Sequence, residues 1–277
     1  MSAKTVNKLA VPGATLHYEV TGSGPVLLLI AGGGTDGGIF DGIVGRLAAD
    51  YTVITYDPRG NSRSPYDGAA ADERVDQSAD DALAVLDAAG ASEPAYVLGS
   101  SSGAITGLEL ITRYPDRVRL LIAHEPPCVE VLPDAADHRA FFEQVYETYR
   151  TDGVEIADVL FMRGIGADED EPPAPEDLLP EVAEMFVRFQ GNAANFYEHK
   201  LLPFTSYQPD LDALKSVAAR IVPAAGADSV EHLPARPIQQ IAETLGWPVV
   251  SFPGGHAGYL THPAPFATLV ARVLETD

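Results

Sequence analysis

Residues Gly99-Ser100-Ser101-Ser102-Gly103 set a serine between two glycines, each two positions away. That G-x-S-x-G spacing permits a turn too tight for bulkier residues, which pushes the central hydroxyl into the open at the start of the next helix. A serine hydroxyl is a weak nucleophile until a base takes its proton. The histidine best placed to do so is His256, in the flexible run Phe252-Pro253-Gly254-Gly255-His256. An imidazole that must become positive in turn wants a carboxylate to hold its tautomer. Asp228, a short turn beyond the apolar run at 219–226, is the first choice, with Glu231 and Glu125 as alternatives. The order serine, acid, histidine along the chain fits a serine-based α/β architecture. Attack on a carbonyl also needs hydrogen-bond donors for the oxyanion. The Ser102 N–H at a helix start and the Gly33 N–H within AGGGTDGG at 31–38 are the candidates.

The elements that must carry these residues alternate in type. Strands are predicted at 14–20, after a Pro-Gly turn that points to a hairpin, and at 26–30, 51–56, 95–99 and 117–125. The run Val26 to Ile30 is continuously apolar, as a strand covered on both faces should be. Helices are predicted at 39–49, 76–89 and 103–114 from apolar residues at helical spacing. After Glu125-Pro126-Pro127 the rhythm breaks, and 130–218 reads as helical stretches at 135–150, 155–163, 179–202 and 209–218. Strands at 219–226 and 248–252 and helices at 235–245 and 263–274 then resume it. The whole is an α/β fold with a mostly parallel sheet: a core from 1–127 and 219–277, and an inserted helical lid at 128–218. Ligands of such sheets bind beyond the carboxyl ends of the strands, where an insertion can roof them.

Composition excludes several alternatives. The chain of 277 residues carries 40 acidic and 18 basic residues, a net charge of -22, which disfavours nucleic acid and anionic membrane as partners. Its longest apolar stretch, 25–31, is too short to span a bilayer, and the first residues lack the apolar run of a signal peptide. With one cysteine, Cys128, no internal disulfide is possible, and the cytoplasm is the default location. AGGGTDGG matches neither the dinucleotide fingerprint nor a P-loop, and the seven histidines show no metal-binding spacing, so no cofactor or metal is expected. His262, at the start of the last helix, reads as a capping or packing residue, and His124 as structural or pocket-lining. Oligomeric state is not legible.

The motifs AGGG at 31–34, DPRGNSRS at 57–64, GSSSG at 99–103, GAD at 226–228 and FPGGHAGY at 252–259 resemble the α/β-hydrolase family over nearly the whole chain. The likeness is to its esterase, lactonase and cofactor-free haloperoxidase-like branch. By that resemblance Ser101, Asp228 and His256 would be nucleophile, acid and base, and the helical block the lid. Family members that hydrolyse epoxides or haloalkanes place Asp at the elbow, where this chain has Ser101. The family's oxyanion loop commonly opens with His-Gly, whose histidine braces the loop; this chain has Ala31 there. Arg59 and Arg63 lie in a loop that packs beside the family's site, where structural ion pairs are expected. Phe161, Met162, Met185, Phe186, Phe189, Phe196, Phe204 and Tyr207 pack the lid or line an apolar pocket. The leading expectation is hydrolysis of a carboxylic ester or lactone of a small, apolar molecule. A lyase or cyclising enzyme using the same serine and histidine for proton transfer, and a non-catalytic small-molecule binder, remain as alternatives.

Overall fold

A computed structural model of the chain describes residues 4–167 and 180–276. The hairpin β1 (Lys4–Val11) and β2 (Ala14–Gly22) turns at Pro12-Gly13, where Gly13 adopts a φ of 83°. The remaining strands are β3 (Val26–Ile30), β4 (Thr52–Tyr56), β5 (Ala95–Ser100), β6 (Val118–His124), β7 (Ile221–Gly226) and β8 (Val250–Phe252). Together they make one sheet in the order β1-β2-β4-β3-β5-β6-β7-β8. All neighbours from β4 to β8 pair parallel, and only β2 runs against its neighbours.

The strands carry alternate side chains to opposite faces, and both faces are covered. Leu28, Ile30, Ile54 and Val97 meet the apolar stripes of α2 (Val75–Ala88) and α3 (Ser102–Arg113). Leu27, Leu29, Val53 and Leu98 meet Ile43 and Leu47 of α1 (Asp41–Leu47), with Phe266 and Val270 from the C-terminal helix. Between β6 and β7 no strand occurs among the described residues. That stretch holds α4 (Ala135–Asp152), α5 (Val154–Ile165), α6 (Pro180–Asn195), a wide π turn at Phe196–Lys200, α7 (Leu201–Thr205) and α8 (Leu211–Ser216). Phe142, Val145, Ala157, Tyr197 and Leu201 from it form a small core with Val129, Leu132 and Leu233. The chain ends with α9 (Arg236–Leu245), α10 (Gly258–Thr261) and α11 (Pro263–Glu275).

Strand order sets the position of the site. The chain passes from β3 outward to β4, then returns past β3 to β5, so the loops after β3 and β5 diverge from adjacent strands. That reversal leaves a crevice at the carboxyl end of the sheet. AGGG follows β3 and GSSSG closes β5, so both motifs open on the same crevice. The loop after β4 is tied down by two ion pairs. Arg59 forks onto Asp81 of α2 at 2.6 and 2.7 Å with both side chains buried, and Arg63 forks onto Asp57 at 2.8 Å while also reaching Glu19.

The approach of α3 to β3 depends on Gly103. A Cβ there would stand 2.1 Å from the Ile30 carbonyl oxygen, an overlap with backbone that no rotamer relieves. Gly103→Ala would add about 1 kcal/mol to an unobstructed helix. Here it should instead cost about 3 kcal/mol or more through overpacking. Urea unfolding of the two proteins gives the sign, and a gain in stability would mean that α3 does not press on β3 as described.

Candidate active site

Ser101 sits between β5 and α3 with a φ of 56° and ψ of -128°, a conformation that L-residues avoid. It is fixed there because its N–H donates to the His124 carbonyl at 2.9 Å and its own carbonyl accepts from the Ala104 N–H at 2.9 Å. Gly99 makes the turn possible: a Cβ at that position would lie 2.3 Å from the Gly103 carbonyl oxygen. The Ser102 N–H, in the first turn of α3, has no carbonyl within the helix to receive it. Burial of Ser102 keeps its side chain inside, where Oγ accepts the Gly33 N–H at 2.8 Å. One of the two donors expected for an oxyanion is thus engaged with the hydroxyl beside the nucleophile position.

His256 follows β8 on the glycine loop, and its Nδ1 lies 2.5 Å from Oε2 of Glu125. The expectation that Asp228 holds this imidazole gives way. Asp228 is exposed, and its N–H donates to the Gly254 carbonyl at 3.1 Å. The place beside Nδ1 is filled by Glu125, the residue after β6. Its φ of 51° sends the backbone through the left-handed region before Pro126 and leaves the carboxylate under the β7 loop. There Oε1 accepts the Gly226 N–H at 2.8 Å and the Ser229 hydroxyl, while Oε2 faces His256. Glu231, the other alternative, is exposed. Burial by itself would push the Glu125 carboxyl up. The hydrogen bond and charge of His256, helped by His124 and Ser229, outweigh it and hold the carboxyl at about 2.

His124 is fully buried behind this pair. Its ring stacks on that of His256 with centroids 6.3 Å apart and meets Phe252, Phe266 and Tyr259 edge-on. Nδ1 faces the Ser100 hydroxyl at 3.2 Å, and Nε2 makes no hydrogen bond among the described residues. Burial drives its imidazole down to about 4, with the His256 charge adding to the fall and Glu125 opposing it. His124 is therefore a neutral wall of the site. His262 is exposed and bonded to Thr261 at the start of α11, and Cys128 is buried with its thiol pushed up to about 12 by burial. No hydrogen bond joins the Ser101 hydroxyl to His256 among the described residues; such contacts commonly tighten only when substrate is bound.

Most aromatic residues of the helical stretch between β6 and β7 pack. Met185, Phe186 and Phe189 join the cluster under α1 and α11, whereas Phe204 and Tyr207 join the one over α3. Phe161 and Phe196 meet edge-to-face at 5.5 Å, and Phe196 lies against Gly33 and Gly34 of the loop after β3. Two residues that the sequence did not single out also reach that loop. Asn61 donates to the carbonyls of Gly33 at 3.2 Å and Thr35 at 2.8 Å, and Asn192 of α6 donates to that of Gly34 at 2.8 Å. Asn61 stands inside the DPRGNSRS motif, but the loop contact of Asn192 crosses 158 positions and leaves no local trace. Among the described residues no helix is long and apolar enough to cross a membrane.

A family model described as alpha/beta hydrolase fold matches residues 25–208. An uncharacterized hydrolase of Bacillus subtilis, YraK, is 36% identical over 281 residues, spanning 99% of this chain and 98% of the relative. Among solved structures, a thermophilic esterase from Thermogutta terrifontis superposes with a TM-score of 0.74 at 20% identity, covering 100% of this chain and 98% of its own. An enol-lactonase from Burkholderia xenovorans gives 0.73 at 21%, covering 97% and 100%. At these identities the structural likeness is one of fold.

The geometry separates the carboxylates experimentally. Glu125→Gln should lower turnover of an ester substrate by about 10³- to 10⁴-fold, the scale seen when a triad carboxylate becomes an amide. Asp228→Asn should stay within about threefold of wild type; the reverse pattern would return the acid to Asp228. Stability carries a second signature. Because the folded carboxyl lies near 2, below its ordinary 4.5, its contribution is complete above about pH 4.5 and is lost as pH falls toward 2. The stability gap between wild type and Glu125→Gln should narrow across that window.

Proposed function

The chain belongs to the α/β-hydrolase family, and on that footing we propose that it is a serine hydrolase that cleaves a carboxylic ester or lactone of a small, apolar substrate through an acyl-enzyme. The observation that carries this reading is a serine held at positive φ by the His124 carbonyl, next in the chain to a buried, ionised Glu125 that is paired with Nδ1 of His256. With Nδ1–H donated to Glu125, the tautomer leaves Nε2 as the free base.

In the proposed cycle Ser101 Oγ attacks the carbonyl carbon while His256 Nε2 takes its proton. Negative charge gathers on the carbonyl oxygen, where the Ser102 N–H at the start of α3 donates, joined by the Gly33 N–H once it turns from the Ser102 hydroxyl to the substrate. Glu125 stays ionised and stabilises the imidazolium. The tetrahedral adduct collapses, the carbon–oxygen bond to the alkoxide breaks, and the imidazolium returns its proton to that oxygen. For a lactone the hydroxyl so formed remains attached to the acyl group. Water then attacks the acyl-enzyme with His256 again as base, releasing the acid and restoring Ser101. The ring pair Phe161–Phe196 against the Gly33 loop supports an apolar acyl or ring substituent, and solved neighbours named as an esterase and an enol-lactonase support the substrate class.

A fluorophosphonate probe should add one phosphonyl group per chain, located on Ser101 by peptide mass spectrometry. Ser101→Ala should lose both the label and hydrolysis of p-nitrophenyl butyrate. A label on Ser100, or ester turnover surviving in Ser101→Ala, would remove the nucleophile assignment.

A further inference from the structure

The loop after β3 has an unusual balance of hydrogen bonds. All four successive carbonyls, from Gly32 to Thr35, have a donor. Gly32 O receives the Thr35 N–H at 3.1 Å and the Thr35 hydroxyl at 2.5 Å. Gly33 O and Thr35 O receive Asn61 Nδ2, and Gly34 O receives Asn192 Nδ2. In a trans peptide the N–H points away from the C=O of the same unit. Tying the carbonyls back therefore fixes the directions of the N–H groups at 33 and 34, and that of Gly33 already points at Ser102, next to the nucleophile position.

The donor to Gly34 comes from the lid. Arg188, Asn192 and Asn195 recur at i, i+4 and i+7 on α6 and so share one face of that helix. Arg188 forks onto the buried Asp36 at 2.6 and 3.3 Å. Asn195 approaches Asn61 Oδ1 at 3.3 Å. Asn192, only 4% exposed, sits between them. Besides Gly34 O, its Nδ2 donates to the Ser62 hydroxyl at 2.9 Å, while its Oδ1 accepts the Ser62 N–H at 2.6 Å. Ser62 itself has a φ of 48°, so the asparagine holds a strained turn against the loop. A helix that only roofed a pocket would present apolar residues to the loop, yet here it presents a guanidinium and two carboxamides.

We infer that Asn192 is a positioning residue for the oxyanion loop: the Gly34 carbonyl it holds shares a peptide with the Thr35 N–H, which in turn holds the Gly32 carbonyl and so the Gly33 N–H, coupling the seating of the lid helix to the orientation of that donor. This rests on the serine-hydrolase reading above. The donors are then set for the transition state only while α6 is docked, so loss of the Asn192 contact lowers the chemical step and leaves substrate binding largely intact. Removing an oxyanion donor outright costs about 10²- to 10³-fold. Misaligning the loop should cost less, about 10- to 100-fold.

The test measures kcat and KM for p-nitrophenyl butyrate, and the fluorophosphonate labelling rate, in wild type, Asn192→Leu, Asn192→Asp and Val187→Ala. Asn192→Asp keeps an acceptor for the Ser62 N–H but loses the donor to Gly34 and sets a negative charge against that carbonyl. It also keeps the shape of the side chain if the leucine variant does not fold. Both variants should lose about 10- to 100-fold in kcat and in labelling rate, with KM within about threefold. Val187, exposed on the same helix, should tolerate alanine without change. Unchanged kcat in Asn192→Asp, or a rise in KM with kcat intact, would overturn the coupling and leave α6 as a wall of the pocket. Failure of the serine-hydrolase reading is a separate result, since wild type itself would then resist the probe at Ser101.

Discussion

Glu125 joins three elements that would otherwise be independent. It follows β6 directly, accepts from Gly226 at the end of β7 and from Ser229 in the loop beyond, and meets His256 after β8. A carboxylate buried this deeply is costly unless every lone pair is answered, and each answer here is a group the site needs in place. The backbone contributes as well, because the left-handed conformation at Glu125 directs the side chain beneath the sheet edge while Pro126 carries the chain away. The same strand end holds the serine elbow: the carbonyl of His124 receives the Ser101 N–H, so successive residues at the end of β6 anchor Ser101 and His256.

The elbow adds a second constraint. Ser101 keeps an unfavourable dihedral pair only because glycines at 99 and 103 let α3 fall directly against β3 and β5. That close approach brings the start of α3 to the loop after β3, and the Gly33–Ser102 contact follows from it. Sheet order, strained turn and the placing of the loop after β3 are thus successive consequences of one packing arrangement. The helical block closes over it with a polar face of α6 toward the loop and aromatic residues toward Gly33 and Gly34.

Much of this architecture can be read from residues whose signal is local. The apolar run Val26 to Ile30 is a strand with the predicted ends, and α2, α3, α4 and α9 fall within a residue or two of their helical periodicities. GSSSG announces its own geometry because only glycine fits at 99 and 103. The carboxylate partner of His256 was not legible in the same way. Asp228 lies on a loop at the correct edge, and the two prolines after Glu125 argue for a chain leaving the site. What decides the matter is a single positive φ at Glu125 and the Ser229 hydroxyl, one residue past Asp228, turned toward Glu125 rather than toward solvent. Backbone dihedrals of a non-glycine residue leave no mark on composition or spacing. Asn192 escaped for a different reason: its partners lie 130 and 158 positions away, so no window of sequence contains the contact.

The pairing of His256 with Glu125 is directly observable by proton NMR on protein labelled with ¹⁵N at histidine. An Nδ1–H donated to a buried, ionised carboxylate should give a deshielded exchangeable resonance coupled to His256 Nδ1. This resonance should persist in Asp228→Asn, vanish in His256→Ala and move well upfield in Glu125→Gln, where the acceptor is a neutral amide. A resonance that survives unchanged in Glu125→Gln and disappears in Asp228→Asn would contradict the arrangement on which the site is built.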